Sequence, residues 1–106
     1  MDAAFKALAD PTRRAILREL RAGPANAGAL AEWLGVAPSA LSFHLTALKG
    51  AGLVSDTRRG QFIEYTLNTS VVEDVLRFVL DNFAAAERAK PRSQLRTRGL
   101  KRPKEA

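Results

Sequence analysis

The sequence ANAGALAEWLGVAPSALSFHLTALKGAG, residues 25–52, continues directly into LVSDTRRGQFIEYTL, residues 53–67. The first stretch predicts two short helices, because apolar residues recur at helical spacing on both sides of Gly35. The second predicts a β-hairpin, because Ile63, Tyr65 and Leu67 alternate with other residues after a turn at Arg59-Gly60. Two helices followed by a hairpin are typical of proteins that place one helix in the major groove of DNA.

Helices are predicted on both sides of this unit. Residues 3–9 form a short helix, and a second helix runs from Pro11 to about residue 22, with Asp10 as its N-cap. Downstream of the hairpin, Ser70 and Glu73 match a capping box, which predicts the start of a fifth helix. The predicted fold is therefore mainly α with a β-hairpin: a winged helix-turn-helix with four helices, two strands and a final helix.

Composition limits the classes of protein to which this chain can belong. It has 106 residues and no cysteine, which excludes disulfides, thiolate metal sites and cysteine nucleophiles. The N-terminus lacks the features of a signal peptide, and no window has the roughly 18 apolar residues that a membrane span needs. We therefore expect a cytoplasmic protein without a cofactor. No nucleophile–base pair or phosphate-binding glycine loop indicates an enzyme.

The net charge of +6 is concentrated at the C-terminus. Residues 1–89 contain ten basic and ten acidic residues, whereas residues 90–106 contain seven basic residues and one acidic residue. Residues 1–89 are predicted to form the DNA-binding and dimerisation domain, and residues 90–106 a disordered basic tail. The tail either adds sequence-independent attraction to phosphates or is a solvated segment without a binding role.

The second helix of the motif presents a face suited to DNA. When its leucines face the core, small and polar side chains project outward. Serine hydroxyls bond to phosphates or base edges, and alanine or phenylalanine can contact a thymine methyl group. The residues predicted to contact bases are Ser39, Ala40, Ser42, Phe43 and His44.

Two of these residues have an alternative role within the fold. Phe43 is either a DNA contact or packs against the hairpin or Trp33. His44 lies at the edge of the buried stripe of its helix. It either reaches a phosphate or base, or it is a structural histidine bonded to the backbone.

Polar residues at the hairpin tip form a second predicted contact. Arg58, Arg59 and Gln61 surround Gly60, whose lack of a side chain lets the backbone approach a partner. We expect this tip to act as a wing that touches phosphates or the minor groove. The alternative is a solvated turn.

Three further cations are weaker candidates for backbone contact. Arg13 and its neighbour Arg14 either touch flanking phosphates or pair with nearby acids. Lys49 lies at the end of the second helix of the motif, the recognition helix, where a cation also interacts favourably with the helix dipole.

The last predicted helix carries more apolar surface than one small domain needs to cover. Its apolar residues recur at i, i+3, i+4, i+7, i+8 and i+11. Pairing with a second copy would bury the surplus, and a two-fold dimer places two recognition helices one DNA turn apart. The alternative is that this helix only closes the core of the monomer. The predicted dimer-interface residues are Phe5, Leu8, Val72, Val75, Leu76, Val79, Leu80 and Phe83.

Three segments together resemble the ArsR/SmtB family of winged-helix repressors: ALADPTRRAILREL, LAEWLGVAPSALSFHLTALKGAGLV and RRGQFIEYTL. The resemblance covers residues 3–83, and within the family it is strongest to the SdpR-type autorepressors. It implies a homodimer formed through the first and last helices. It also implies binding to double-stranded DNA at an inverted repeat in the chain's own promoter.

This chain departs from the metal-sensing members of that family. Those members use a Cys-x-Cys pair near the segment ANAGALAEWL, or Asp, His, Glu or Cys residues on or after the last helix. Here the first segment has alanine, glycine and leucine, and the last helix has Asp81 but no His or Cys. We therefore expect no metal site.

The release of repression has three candidate causes. The resemblance to SdpR-type repressors implies a membrane-bound partner protein that sequesters the repressor. The alternatives are a small apolar ligand at the dimer interface and autogenous repression without any ligand.

Two functions therefore follow from the sequence. The first is a homodimeric repressor that binds DNA. The second is a winged-helix module that binds another protein, since this fold does not by itself determine function. The basic hairpin tip favours the first function, and the neutral charge of residues 1–89 favours the second.

Overall fold

The computed structural model describes residues 1–84 and has the predicted winged helix-turn-helix architecture. The last residues of the predicted domain and the whole predicted tail, residues 90–106, lie outside the described residues. None of the helices within residues 1–84 combines the length and apolar character that a bilayer crossing requires. The elements in chain order are α1 (Asp2–Leu8), α2 (Pro11–Leu20), β1 (Ala25–Asn26), α3 (Ala27–Leu34), α4 (Pro38–Gly50), β2 (Val54–Arg59), β3 (Phe62–Leu67) and α5 (Thr69–Val79), followed by a π-helical segment (Leu80–Ala84).

The chain divides into two compact units, Met1–Val75 and the segment that begins at Leu76. The first unit contains the hydrophobic core, which the helices and the sheet build together. In α4 the three leucines at core spacing are almost fully buried, as predicted. In α1 the buried residues are Ala4 and Ala7, while Phe5 and Leu8, which are predicted for the dimer interface, are half-buried.

The sheet has one strand more than the predicted hairpin. β1 pairs with β3, so the antiparallel strand order is β1-β3-β2. The hairpin turn also lies one position later than predicted, because Arg59 pairs with Phe62 and leaves Gly60-Gln61 as the turn. Gly60 has φ 61°, a left-handed conformation that glycine adopts without steric cost. This register puts Arg58 and Arg59 on opposite faces of the hairpin.

Both helices of the DNA-binding motif end in the same backbone arrangement. After α3, the amides of Gly35 and Val36 donate to the carbonyls of the last helical turn, and Gly35 has φ 64°. After α4, Gly52 and Leu53 donate in the same pattern, and Gly52 has φ 77°. This is the Schellman motif, in which a left-handed residue satisfies carbonyls that the helix leaves free. The first motif therefore ends α3 and separates it from α4, and the second ends α4 and separates it from the hairpin.

Side-chain caps begin α2 and α3, and the first of them is the predicted cap at Asp10. Asp10 accepts a hydrogen bond of 3.0 Å from the amide of Arg13, and Asn26 accepts one of 2.8 Å from the amide of Ala29. The hydrogen bond from the Arg13 amide holds the pKa of Asp10 below its ordinary value. Asn26 has a second function, because it also belongs to β1 and pairs with Glu64 of β3.

The predicted capping box at the last helix is wrong. α5 begins at Thr69, so Ser70 lies inside the first turn and Asn68 holds the position before the helix. The side chain of Asn68 accepts a hydrogen bond from Ser55 at 2.9 Å and donates one to the carbonyl of Gly52 at 2.8 Å. Asn68 therefore joins the start of α5 to the corner between α4 and the hairpin.

The predicted apolar stripe of the last helix assumed one continuous α-helix. The α-helix ends at Val79, and residues 80–84 form a π-helical segment instead. A π-helix bonds i to i+5, so its turn is wider and its side chains rotate away from the stripe that α-helical spacing predicts. The α-helical spacing on which the stripe was predicted therefore ends at Val79.

The cap at Asn26 leads to a stability prediction. Replacing Asn26 with alanine leaves the amide of Ala29 without its acceptor, so we expect a loss of about 1 kcal/mol in the free energy of unfolding. Urea unfolding at one protein concentration measures this loss. Asn26→Asp keeps an acceptor oxygen and is the control, expected close to wild type. An equal loss in both variants would show that the cap is not the cause.

The lowered pKa of Asp10 leads to a pH prediction. Its carboxylate contributes stability that is present above the pKa of the unfolded chain and is lost as the pH falls through the lower folded pKa. We therefore expect the free energy of unfolding to fall below about pH 4, and Asp10→Asn to flatten this decline. Unfolding curves measured at several pH values test this, and parallel declines for the two proteins would contradict it.

Candidate nucleic-acid interface

The recognition helix α4 has one buried and one exposed face. Leu41, Leu45 and Leu48 are exposed by only 1%, 2% and 0% of their surface. Of the residues predicted to contact bases, Ser39, Ala40, Ser42 and Phe43 are exposed, whereas His44 is half-buried. The structure thus brings together on one helix face the side chains of Ser39, Ala40, Ser42, Phe43 and Thr46.

Phe43 is the most conspicuous side chain on this face. It is 67% exposed, and its ring meets that of His44 edge-on with 5.6 Å between the centroids. Trp33 is exposed as well, so the alternative in which Phe43 is covered by Trp33 or the hairpin does not describe this structure. A large exposed aromatic ring on a small polar surface is available to a partner.

His44 is turned toward α2. Its Nδ1 lies 3.4 Å from Nη1 of Arg13 and 3.8 Å from Oδ2 of Asp10. Nδ1 of His44 thus lies between a guanidinium group and a carboxylate, both at the N-terminus of α2. His44 therefore links the recognition helix to side chains at the N-terminus of α2, and not to the backbone as the structural alternative predicted.

The two arginines at the start of α2 are used to join α1 to α2. Nε of Arg13 donates to the carbonyl of Ala7 at 3.0 Å, and Nη1 of Arg14 donates to the carbonyl of Leu8 at 2.8 Å. Both carbonyls lie at the end of α1, where a helix has no internal donors for them. Neither predicted alternative, phosphate contact or pairing with acids, anticipated these bonds.

The hairpin tip presents its predicted polar residues to solvent. Arg58, Arg59 and Gln61 are all exposed. Two apolar neighbours, Phe62 and Ile63, are 55% and 39% exposed, which was not predicted. The signal for them was available, because strand residues at a hairpin tip extend beyond the core that covers the rest of the strand.

Two cations of the proposed DNA surface are paired with carboxylates of the hairpin. Nζ of Lys49 lies 2.8 Å from Oδ2 of Asp56, and Nε of Arg59 lies 3.3 Å from Oε1 of Glu64. The hydrogen bond to Asp56 raises the pKa of Lys49 above its ordinary value. The ion pair between Lys49 and Asp56 therefore connects the end of α4 to β2, so the charge of Lys49 has a role within the fold.

The residues predicted for the dimer interface differ in exposure. In the first unit, Val75 is 8% exposed and belongs to the core, so a partner would cover little of it, while Val72 is exposed. In the second unit Leu76, Leu80 and Phe83 are exposed and Val79 is half-buried. Unpartnered apolar surface is therefore present on the last helix, but on fewer residues than the sequence pattern indicates.

The described residues contain no group of three or more histidine, cysteine, aspartate or glutamate side chains arranged to hold a metal ion.

Comparison with known proteins agrees with this architecture. Residues 8–57 match the model of a helix-turn-helix domain. The chain is 46% identical over 81 residues to the transcriptional repressor SdpR of Bacillus subtilis, which is 76% of this chain and 90% of that protein.

Solved structures show the same fold. An ArsR-like transcriptional regulator from Rhodococcus superposes with a TM-score of 0.76 at 30% identity, covering 92% of this chain and 91% of that one. A homodimeric winged helix-turn-helix DNA-binding domain from Mycobacterium bovis superposes with a TM-score of 0.65 at 30% identity, covering 77% and 79%. With its two-faced recognition helix and its hairpin wing, this chain belongs to the ArsR/SmtB family of winged helix-turn-helix transcriptional repressors.

Proposed function

We propose that this protein is a homodimeric repressor whose α4 helices enter the major groove at an inverted-repeat operator. The exposed face of α4 is the observation that carries the proposal. Ser39, Ser42 and Phe43 lie there with Ala40, and serine hydroxyls together with apolar groups suit base edges and thymine methyl groups. The hairpin tip then meets the flanking backbone or minor groove through Arg58, Arg59 and Gln61.

Dimerisation follows from the apolar surface of the last helix. The exposed residues of α5 and the segment after it cannot contribute to stability while they face water. A second copy would bury them, and the similar domain from Mycobacterium bovis is homodimeric. Two-fold pairing also presents two α4 helices to two half-sites, which is the arrangement that an inverted repeat requires.

The operator we propose lies upstream of the protein's own gene. The similarity to the transcriptional repressor SdpR of Bacillus subtilis supports repression, and the resemblance to the SdpR-type autorepressors implies that the repressed gene is the protein's own. We propose cytoplasmic action without a metal, since the sequence has no cysteine and its single histidine faces Arg13 and Asp10. A membrane-bound partner that sequesters the protein stays a prediction from the resemblance.

Binding to upstream DNA and to a scrambled duplex, at several salt concentrations, tests the proposal. We expect one dimer per site, with tight and salt-sensitive binding to the upstream DNA and weak binding to the scrambled duplex. Equal and weak binding to both would support the other candidate, a winged-helix module that docks a protein.

Removal of the Ser42 hydroxyl should reduce selectivity. Ser42→Ala should weaken binding to the upstream DNA by about 1–3 kcal/mol and leave binding to the scrambled duplex unchanged, because base contacts and not phosphate contacts carry sequence information. Fluorescence anisotropy with both duplexes measures the difference. Ser70→Ala, the same exchange at an exposed position of α5, is the control. Equal weakening on both duplexes would show that Ser42 contacts only the backbone.

A charge on the apolar face of the last helix should separate the subunits. Leu76 is 56% exposed, so Leu76→Glu leaves the single chain folded but buries an unpaired carboxylate in the dimer. We expect the dimer Kd to rise by about tenfold or more, which corresponds to about 1.4 kcal/mol. Sedimentation equilibrium measures it. The control is Trp33→Glu, at an α3 residue that is 58% exposed. A wild-type protein that sediments as a monomer, or equal effects of both variants, would contradict the interface.

A further inference from the structure

The guanidinium group of Arg59 already has an anionic partner inside the hairpin. Its Nε lies 3.3 Å from Oε1 of Glu64, and the two side chains are 70% and 35% exposed. The register explains the contact: Arg59 pairs with Phe62 and Thr57 with Glu64, so Arg59 and Glu64 are diagonal neighbours on the same face. The pair is therefore built by the sheet and stays open to solvent.

Glu64 is held in place more firmly than Arg59. It sits in the central strand of the sheet, between Thr57 on β2 and Asn26 on β1. Arg59 is the last residue of β2, next to the turn at Gly60. When the pair opens, the arginine is the partner that can swing away, and the carboxylate remains beside it.

Arg58 provides the contrast. It points to the other face of the hairpin, and its Nη1 donates to the carbonyl of Gly60 at 3.3 Å. The ion pairs found within residues 1–84 do not include Arg58. The wing thus has one arginine with a carboxylate partner and one without.

We propose that Glu64 competes with DNA phosphate for Arg59 and thereby lowers the affinity of the wing for DNA of any sequence. A carboxylate and a phosphate oxygen offer a guanidinium group the same charge-assisted hydrogen bonds. Contact with a phosphate must displace Glu64 or leave its negative charge close to the DNA backbone, and both cost binding free energy. The inference rests on the proposed function, because it requires the wing to touch DNA.

The consequence is a gain in selectivity. Phosphate contacts add affinity for every sequence alike, so restraining one of them weakens binding to competing genomic sites. Discrimination then depends on the bases that α4 contacts. Residues 1–89, whose basic and acidic residues balance, are consistent with weak sequence-independent attraction.

The dependence of DNA affinity on salt distinguishes competition by Glu64 from a wing that binds weakly only because it has few positive charges. A cation that contacts a phosphate releases a counterion from DNA and steepens the dependence of affinity on salt, by about one unit of slope. In the wild type, the displaced Glu64 recruits a cation in return, which cancels part of that release. Removing the carboxylate should therefore strengthen binding and make the salt slope steeper at the same time.

The experiment is a double-mutant cycle on the full chain. Glu64→Gln keeps the shape of the side chain and removes its charge, and Arg59→Ala removes the arginine. The two single variants, the double variant and the wild type are titrated with upstream and scrambled duplexes at several salt concentrations. Glu73→Gln, at an exposed position of α5, is the matched control for a change in net charge. Thermal unfolding confirms that each variant is folded.

We expect Glu64→Gln to bind both duplexes about two- to fivefold more tightly, the range of an exposed ion pair. The salt slope should become steeper by up to about one unit. In the Arg59→Ala background the same exchange should have a clearly smaller effect, because only the repulsion between Glu64 and the DNA backbone is left to remove.

Three results would overturn the inference. The first is an unchanged affinity of Glu64→Gln. The second is an equal gain with and without Arg59, or from Glu73→Gln, since either would reflect net charge alone. The third is an Arg59→Ala variant that binds as tightly as the wild type. That result would show that Arg59 of the wing does not contact DNA, and it would not affect the proposed contacts of α4. Failure of the proposed function itself is visible separately, as a wild type that does not prefer the upstream duplex.

Discussion

Burial of the leucine stripe on α4 is the constraint on which the rest of this structure depends. Leu41, Leu45 and Leu48 are almost completely enclosed, and each buried leucine contributes about 1.5–3 kcal/mol relative to exposure. Rotation of α4 about its axis would expose these leucines to water, so their burial determines which face of α4 points to the core. The opposite face, with Phe43 at its centre, is consequently held toward solvent. The Schellman motifs at either end and the contact from His44 to α2 limit the remaining freedom of the helix.

Four of the cations predicted to contact DNA are bonded within the fold. Arg13 and Arg14 bond to the carbonyls that end α1, and Lys49 and Arg59 pair with carboxylates of the hairpin. A domain of this kind attracts phosphates weakly before it docks. In the proposed function, selectivity for an operator depends on the bases that α4 contacts more than on charge, which suits a repressor that must leave most of the genome unoccupied.

Much of the site was predictable because it is periodic. Apolar residues at helical spacing predicted α4 and its exposed face. Apolar residues at every second position predicted the hairpin, with its arginines at the tip. The same patterns failed where a partner distant in the sequence decides the outcome. From the sequence alone, His44 is equally compatible with contact to DNA and with a structural role. Only the folded chain brings Arg13 and Asp10 next to its ring. The exposure of Phe62 was not predicted, although its position beside the hairpin turn indicated it.

The sequence by itself determined the order of the elements, the caps at Asp10 and Asn26 and the glycine that ends α3, because these depend on neighbours within a few residues. Tertiary structure decided the third strand, the role of Asn68 and the pairing of Arg59 with Glu64. It also decided that Val75 closes the core while Leu76 is left exposed. These features depend on the distances between segments that only the folded chain brings together, and local periodicity contains no information about those distances.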